Sequence, residues 1–175
     1  AEGGLNQEDI SSIIESASTL PDAGNEDPKG TCTPCGLMTY YVEHLKQIIC
    51  RGLDSRPEDS PLQALHVVCD AGNGAGGFYA THVLQPLGAD ISGSQFLEPD
   101  GNFPNHSPNP EDRAAMDSVS SAVCRVGADL GILFDTDVDR TAAVDGRGRK
   151  IAGNRIVALA AALIQPRKKG SIVVT

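Results

Sequence analysis

Positive charge is scarce in this chain. Its 175 residues carry 14 Lys and Arg against 23 Asp and Glu, giving a formal net charge of −9 and a pI near 4.8. Such a surface repels a phosphate backbone unless basic residues gather locally. The one dense basic cluster, Arg167, Lys168 and Lys169, reads as a solvated turn beside a strand rather than a nucleic-acid site. No nucleic acid is expected as a partner. Missing too is any apolar run long enough to cross a bilayer, so no membrane insertion is expected. The opening AEGGLNQEDI has neither a basic n-region nor an apolar h-region, so no signal or transit peptide is visible. Five cysteines, an odd number at irregular spacing, do not make a secreted disulfide framework. These absences lead to the expectation of a soluble intracellular protein, of the cytoplasm or a plastid stroma.

What is present fits one ordinary domain with pieces of its neighbours, since single domains usually hold roughly 100 to 150 residues. Asn6 followed by Asp9 and an apolar rhythm at Ile10, Ile13, Ile14 and Ala17 predicts an N-capped amphipathic helix that ends near Leu20. The polar stretch 21–30 reads as a linker. A second helix is expected from about Pro34, with Leu37, Tyr40, Tyr41, Leu45, Ile48 and Ile49 on its apolar face. After another linker at 55–63, apolar runs alternate with glycine turns and helical patterns. Strands are expected at Leu65–Cys69, Ala89–Ile91, Leu130–Phe134, Thr141–Val144 and Ser171–Val174. Helices are expected at Gly77–Leu87, Glu111–Val126 and Asn154–Ile164, and a Pro-rich loop at Glu98–Pro110. The alternation predicts an α/β fold, a mixed sheet sandwiched between helices.

Chemistry concentrates in GILFDTDVDR, residues 131–140, where an apolar strand delivers Asp135, Asp137 and Asp139 at alternate positions, followed at once by Arg140. Three carboxylates so close repel one another, and a hard cation such as Mg²⁺ that takes an oxygen from each removes that cost. Each Asp→Asn change is accordingly expected to relax the metal-free fold slightly. Rival readings are an EF-hand, which wants Gly and Glu where Arg140 and Gly146 stand and wants flanking helices; a haloacid-dehalogenase-like phosphatase, which leaves Asp139-Arg140 without a role; and a plain acidic turn.

A second signal, VVCDAGNGAGG at 67–77, formally matches a G-x-G-x-x-G fingerprint through Gly72, Gly74 and Gly77. Asp70 intervenes where a dinucleotide fold has its first glycine, so close packing of the turn is the favoured account. The loop DGNFPNHSPNPED, residues 100–112, is stiffened by three prolines and carries His106, read as a structural histidine because no second ligand stands at metal spacing. Cys32 and Cys35 form a C-x-x-C near the start of the second helix. It reads as two ordinary thiols at a domain junction, the alternative being a redox pair favoured by the helix dipole.

Taken in order and spacing, VVCDAGNGAGG, GNFPNHSPNPED, ADLGILFDTDVDR and TAAVDGRGRKIAGNRIVAL resemble the α-D-phosphohexomutases, the phosphoglucomutase/phosphomannomutase family. The resemblance implies that residues 1–31 are the tail of a first domain and linker, 32–145 a second α/β domain with the metal loop, and 146–175 the start of a third. It implies a fragment of an isomerase that moves phosphate between C1 and C6 of a hexose phosphate through a phosphoserine and a bisphosphate intermediate. Asp135, Asp137 and Asp139 would then be Mg²⁺ ligands and Arg140 a phosphoserine contact. No T-x-S-H-N-P serine loop occurs in the 175 residues, so no catalysis is expected from this chain alone. The family's commonest metal loop is D-G-D-G-D-R, and Thr136 and Val138 replace both glycines here. The other reading is a non-catalytic mutase-like module serving as an interaction subunit, with a protein assembly partner.

Overall fold

The computed structural model of the chain describes residues 4–21, 30–165, 170 and 172. The basic cluster at 167–169, most of the first linker and most of the strand expected at Ser171–Val174 lie outside them. Two compact units, Ala1–Cys35 and Gly36–Thr175, make up the chain. In the first, helix α1 (Gln7–Thr19) begins as its sequence requires: the Asn6 side chain accepts from the Asp9 N–H at 2.9 Å, and Asp9 accepts from the Asn6 N–H at 3.3 Å. That reciprocal pair satisfies two of the backbone donors a helix start leaves open.

The second unit is built on a three-stranded mixed sheet, β1 (Val67–Asp70), β2 (Leu130–Phe134) and β3 (Thr141–Asp145), in the order β1-β2-β3. β1 runs parallel to β2, with Val67 opposite Leu130 and Asp70 opposite Leu133. β3 returns antiparallel, with Phe134 opposite Thr141. The same unit carries the α-helices α2 (Leu37–Gly52), α3 (Arg113–Val126) and α4 (Gly153–Ile164). Side chains alternate across a strand, and both faces of β1 are covered. Val67 and Cys69 join Cys50, Leu62, Ala80, Leu84 and Phe134 in one cluster, while Val68 joins Ala115, Val119, Val123, Leu133 and Val144 in another. A strand buried on both faces reads as a continuous apolar run, which is why VVC lacks alternation. Gly131 lets α3 lie close to the sheet: a Cβ there would stand 2.5 Å from Val144 and 2.6 Å from Val123.

Several boundaries differ from the sequence reading, each for a physical reason. α2 starts at Leu37 with Gly36 as its cap, so exposed Cys32 and Cys35 precede the helix and gain no place in its first turn. α3 starts at Arg113 because the Asp112 side chain takes the Ala115 N–H at 3.0 Å. The helix expected at Gly77–Leu87 is wound wide over Tyr79–Leu84, where the Gln85 N–H reaches back to the Ala80 carbonyl, and closes in a tight turn at Gln85–Leu87. Pro86, lacking an N–H, cannot continue the ordinary ladder. The strand expected at Ala89–Ile91 is reduced to one bridge, His66 to Asp90. The Asp90 carboxylate accepts from the Ser92 N–H at 2.8 Å, a turn that bends the chain away before a ladder can form. Among the described residues no helix is long and apolar enough to cross a membrane.

Cys69 supplies a pH test of this packing. Burial, and then the negative charge of Asp70, push its thiol from about 9 up to about 12. Between those values the unfolded chain gives up the proton and the folded chain keeps it. Stability is therefore fully present below pH 9 and falls as pH rises through the window, by roughly 1.4 kcal/mol per pH unit. Urea denaturation of the wild type and Cys69→Ala at about pH 8 and about pH 10.5 should show a smaller alkaline loss in the variant. Equal losses would remove Cys69 from the explanation.

Candidate metal centre

β1 and β2 are parallel neighbours, so the segments that follow them emerge at one edge of the sheet. That edge is where open α/β sheets usually hold ligands. Behind β2 comes the loop Asp135–Arg140, which the antiparallel return of β3 closes. The Asp135 N–H donates to the Arg140 carbonyl at 3.2 Å, and the Arg140 N–H donates to Asp135 Oδ1 at 3.1 Å. The loop lies between strands, not between the helices an EF-hand requires.

Within it the three aspartates converge: Asp135, Asp137 and Asp139 each offer a carboxylate oxygen within 4.8 Å of the others. Their environments differ. Asp135 is fully buried, and Arg140 Nε donates to its Oδ2 at 3.0 Å. Burial alone would raise its pKa. The Arg140 backbone N–H, the hydrogen bond with Asp139 and the guanidinium charge outweigh that and hold its carboxyl below the usual range. Asp139 is exposed and shifts the other way, pushed up by hydrogen bonding to the Asp135 carboxyl and by the charges of Asp137 and Asp135. Arg140 Nε stands 3.6 Å from Asp139 and so bridges the two carboxylates.

This donor set fits a hard divalent cation. All three ligands are carboxylate oxygens, the type Mg²⁺ and Mn²⁺ favour. Octahedral bonds of 2.0–2.1 Å place neighbouring oxygens about 3 Å apart and opposite ones about 4.2 Å apart. The exposed Asp137 and Asp139 side chains have room to close from the observed spread. Asp135 keeps acceptor capacity beyond its two bonds to Arg140, since a carboxylate offers about four lone-pair sites.

Val138 holds the loop's least comfortable backbone, with φ +68°. That left-handed conformation costs an L residue roughly 1–2 kcal/mol, and a β-branched one tolerates it poorly. Against this, the Val138 side chain packs on the cluster that contains Phe134 and Tyr79.

The glycine-rich turn after β1 braces the loop. The Ala75 N–H donates to the Thr136 carbonyl at 2.9 Å. A Cβ on Gly74 would meet that same oxygen at 2.9 Å, so only glycine allows the approach. At the turn's other side stands a polar cluster that the sequence reading missed. Asp70 is fully buried and accepts from the Gly72 N–H at 2.9 Å, from Gln95 Nε2 at 2.8 Å and from Ser118 Oγ at 3.1 Å. His106 Nε2 lies 3.0 Å from its Oδ1, and His106 Nδ1 lies 3.0 Å from the Ser107 carbonyl. His106 is thus a structural histidine, its side chain only 5% exposed. The available signal was an aspartate inside an apolar strand, because a buried carboxylate demands partners.

Comparison with known proteins places this arrangement. The family described as phosphoglucomutase/phosphomannomutase, alpha/beta/alpha domain II, matches residues 39–148. A phosphomannomutase/phosphoglucomutase of Pseudomonas syringae is 33% identical over 146 residues, covering 83% of this chain and 29% of that protein. A phosphomannomutase of Salmonella typhimurium is 32% identical over 179 residues, covering 98% of this chain and 36% of its own length. The chain superposes with a TM-score of 0.69 on a phosphoglucomutase/phosphomannomutase family protein of Burkholderia thailandensis, 28% identical, covering 95% of this chain and 33% of that one. It therefore spans about a third of the length of these relatives.

The unequal burial of the aspartates separates their stability effects, where charge repulsion alone treated them alike. Asp135→Asn turns an amide toward two Arg140 donors and should cost roughly 1–3 kcal/mol. Asp139→Asn removes repulsion at an exposed site and should leave the metal-free fold unchanged or slightly more stable. Urea denaturation in the presence of a chelator checks both, and a larger loss at Asp139 than at Asp135 would contradict this account.

Proposed function

The chain belongs to the phosphoglucomutase/phosphomannomutase family, and on that premise we propose that its Asp135–Arg140 loop is the Mg²⁺ site of a hexose phosphate mutase. The observation that carries the reading is the convergence of three carboxylates in a loop anchored between two strands. The reaction is transfer of phosphate between C1 and C6 of a hexose phosphate, by way of a phosphoserine and a bisphosphorylated sugar. This chain supplies the metal-holding part and is not catalytic alone.

Asp135, Asp137 and Asp139 hold the ion, which when bound neutralises charge developing on the transferred phosphoryl group. Asp135 fixes the position of the site because it is buried and locked by Arg140. Asp137 and Asp139, both exposed, adjust to the ion. Arg140 uses its Nε on Asp135, and its side chain is 57% exposed. Its terminal amino groups are thereby offered to a phosphate oxygen beside the metal, as a phosphoserine contact. The relatives' names differ in the sugars they cite, so the substrate is proposed as a class, the hexose phosphates.

Two measurements bear on this. Mg²⁺ usually needs substrate phosphates besides one or two carboxylates, so the chain should bind it with a Kd nearer millimolar than micromolar, equivalent to roughly 4 kcal/mol. Asp137→Asn and Asp139→Asn should each weaken binding in calorimetry or Mn²⁺ relaxation. Indifference to both substitutions, or no binding at tens of millimolar, would end the metal reading. With hexose phosphate, Mg²⁺ and bisphosphate activator the chain should show no mutase turnover, and turnover abolished by Asp137→Ala would overturn its assignment as a non-catalytic part.

A further inference from the structure

We propose that the buried Asp70–His106 pair positions the aspartate loop, acting through the turn 71–77 and the single bond from Ala75 to Thr136. The functional half of this inference rests on the metal reading above. Among the described residues, Ala75 N–H to Thr136 carbonyl is the one hydrogen bond that reaches residues 136–139 from outside the Asp135–Arg140 loop. Thr136 lies between two of the three carboxylates. Whatever places Ala75 therefore places the backbone from which Asp135 and Asp137 diverge.

Three groups place Ala75. The Asp70 carboxylate takes the Gly72 N–H at 2.9 Å and fixes the first residues of the turn. Asn73, at φ +62°, donates from its side chain to the Glu98 carbonyl at 2.8 Å and accepts from Asn105 Nδ2 at 2.7 Å. The Gly74 N–H returns to the Ala71 carbonyl at 2.7 Å.

On the side away from the aspartates, the turn is backed by the Pro-rich loop. A Cβ on Gly72 would stand 2.9 Å from Pro108 Cβ and 3.0 Å from His106 Cε1. On the near side, a Cβ on Gly74 would stand 2.9 Å from the Thr136 carbonyl. With Ala or Gly at 71, 72 and 74–77, no long side chain is available to absorb a shift. Close-packed groups transmit displacement rather than damp it. His106 is the group on which the backing depends. Its ring is held by Asp70 at one nitrogen and the Ser107 carbonyl at the other, and Phe96 meets it edge-on at 5.4 Å between centroids. His106 touches no proposed metal ligand and acts as a positioning residue.

The test uses the full chain, with Mn²⁺ alone as the probe. Amide hydrogen exchange at Ala75 reports the bond to Thr136, and exchange at Val68, in the core of β1, reports global opening. In His106→Ala the Ala75 rate should rise about tenfold relative to Val68, and the Mn²⁺ Kd, read by water proton relaxation, should rise about tenfold. His106→Gln, whose side-chain N–H can still reach Asp70, should recover most of both. If His106→Ala does not fold, His106→Gln and Asn105→Ala, which removes the tie to Asn73, carry the comparison. Ala75 exchange that tracks Val68 in every variant would overturn the proposal, as would a faster Ala75 with unaltered Mn²⁺ affinity. Should Mn²⁺ fail to bind the wild type, the metal reading falls, and the Ala75 exchange still decides whether the pair positions the loop.

Discussion

Parallel pairing of β1 with β2 is the constraint from which the chemistry of this chain follows. Two parallel neighbours end at the same edge, so the turn after β1 and the loop after β2 must share one small volume. Sharing it is possible because that turn is almost without side chains. Ala and Gly at 71, 72 and 74–77 let the backbone approach the aspartate loop and donate to its Thr136 carbonyl at 2.9 Å. The antiparallel return of β3 then closes the loop tightly enough to bring three carboxylates together. Sheet topology, glycine content and acidity are thus one arrangement seen at three levels.

The local parts of this arrangement were legible in the sequence. Strand β2 runs Leu130–Phe134 as its apolar run predicts, Asn6 caps α1, and the carboxylates of GILFDTDVDR meet. Legibility failed where a side chain ends an element by bonding a backbone group, as Asp90 does at Ser92 and Asp112 at Ala115. Such bonds carry no periodicity. It failed more instructively at Asp70. That residue lies 36 positions from His106 and 48 from Ser118, and partners so distant become visible only once the chain is folded. Sequence also treated the three aspartates as equals, because charge can be counted without coordinates and burial cannot.

Val138 shows how the loop tolerates a departure from glycine. A valine at φ +68° is strained, yet its side chain lies against the apolar cluster under the loop. Full burial of a valine is worth roughly 1.5–3 kcal/mol, and Val138, partly buried, recovers a share of that against the backbone cost. A glycine at this position would relieve the strain and leave the cluster less covered. The loop here is held by packing as well as by its own turn.

The same topology sets an order of assembly. Phe134 and Thr141 meet across a hairpin of a few residues, whereas Val67 must find Leu130 across about 60 residues of chain. Hairpins close in about 1–10 μs, and long-range parallel pairing is slower because its loop-closure entropy comes first. The aspartate loop should therefore exist as a charged, unbraced hairpin before the glycine turn arrives beneath it. Its carboxylates would be brought together early, in water, where their repulsion is best screened, and the buried seat of Asp135 would be completed last.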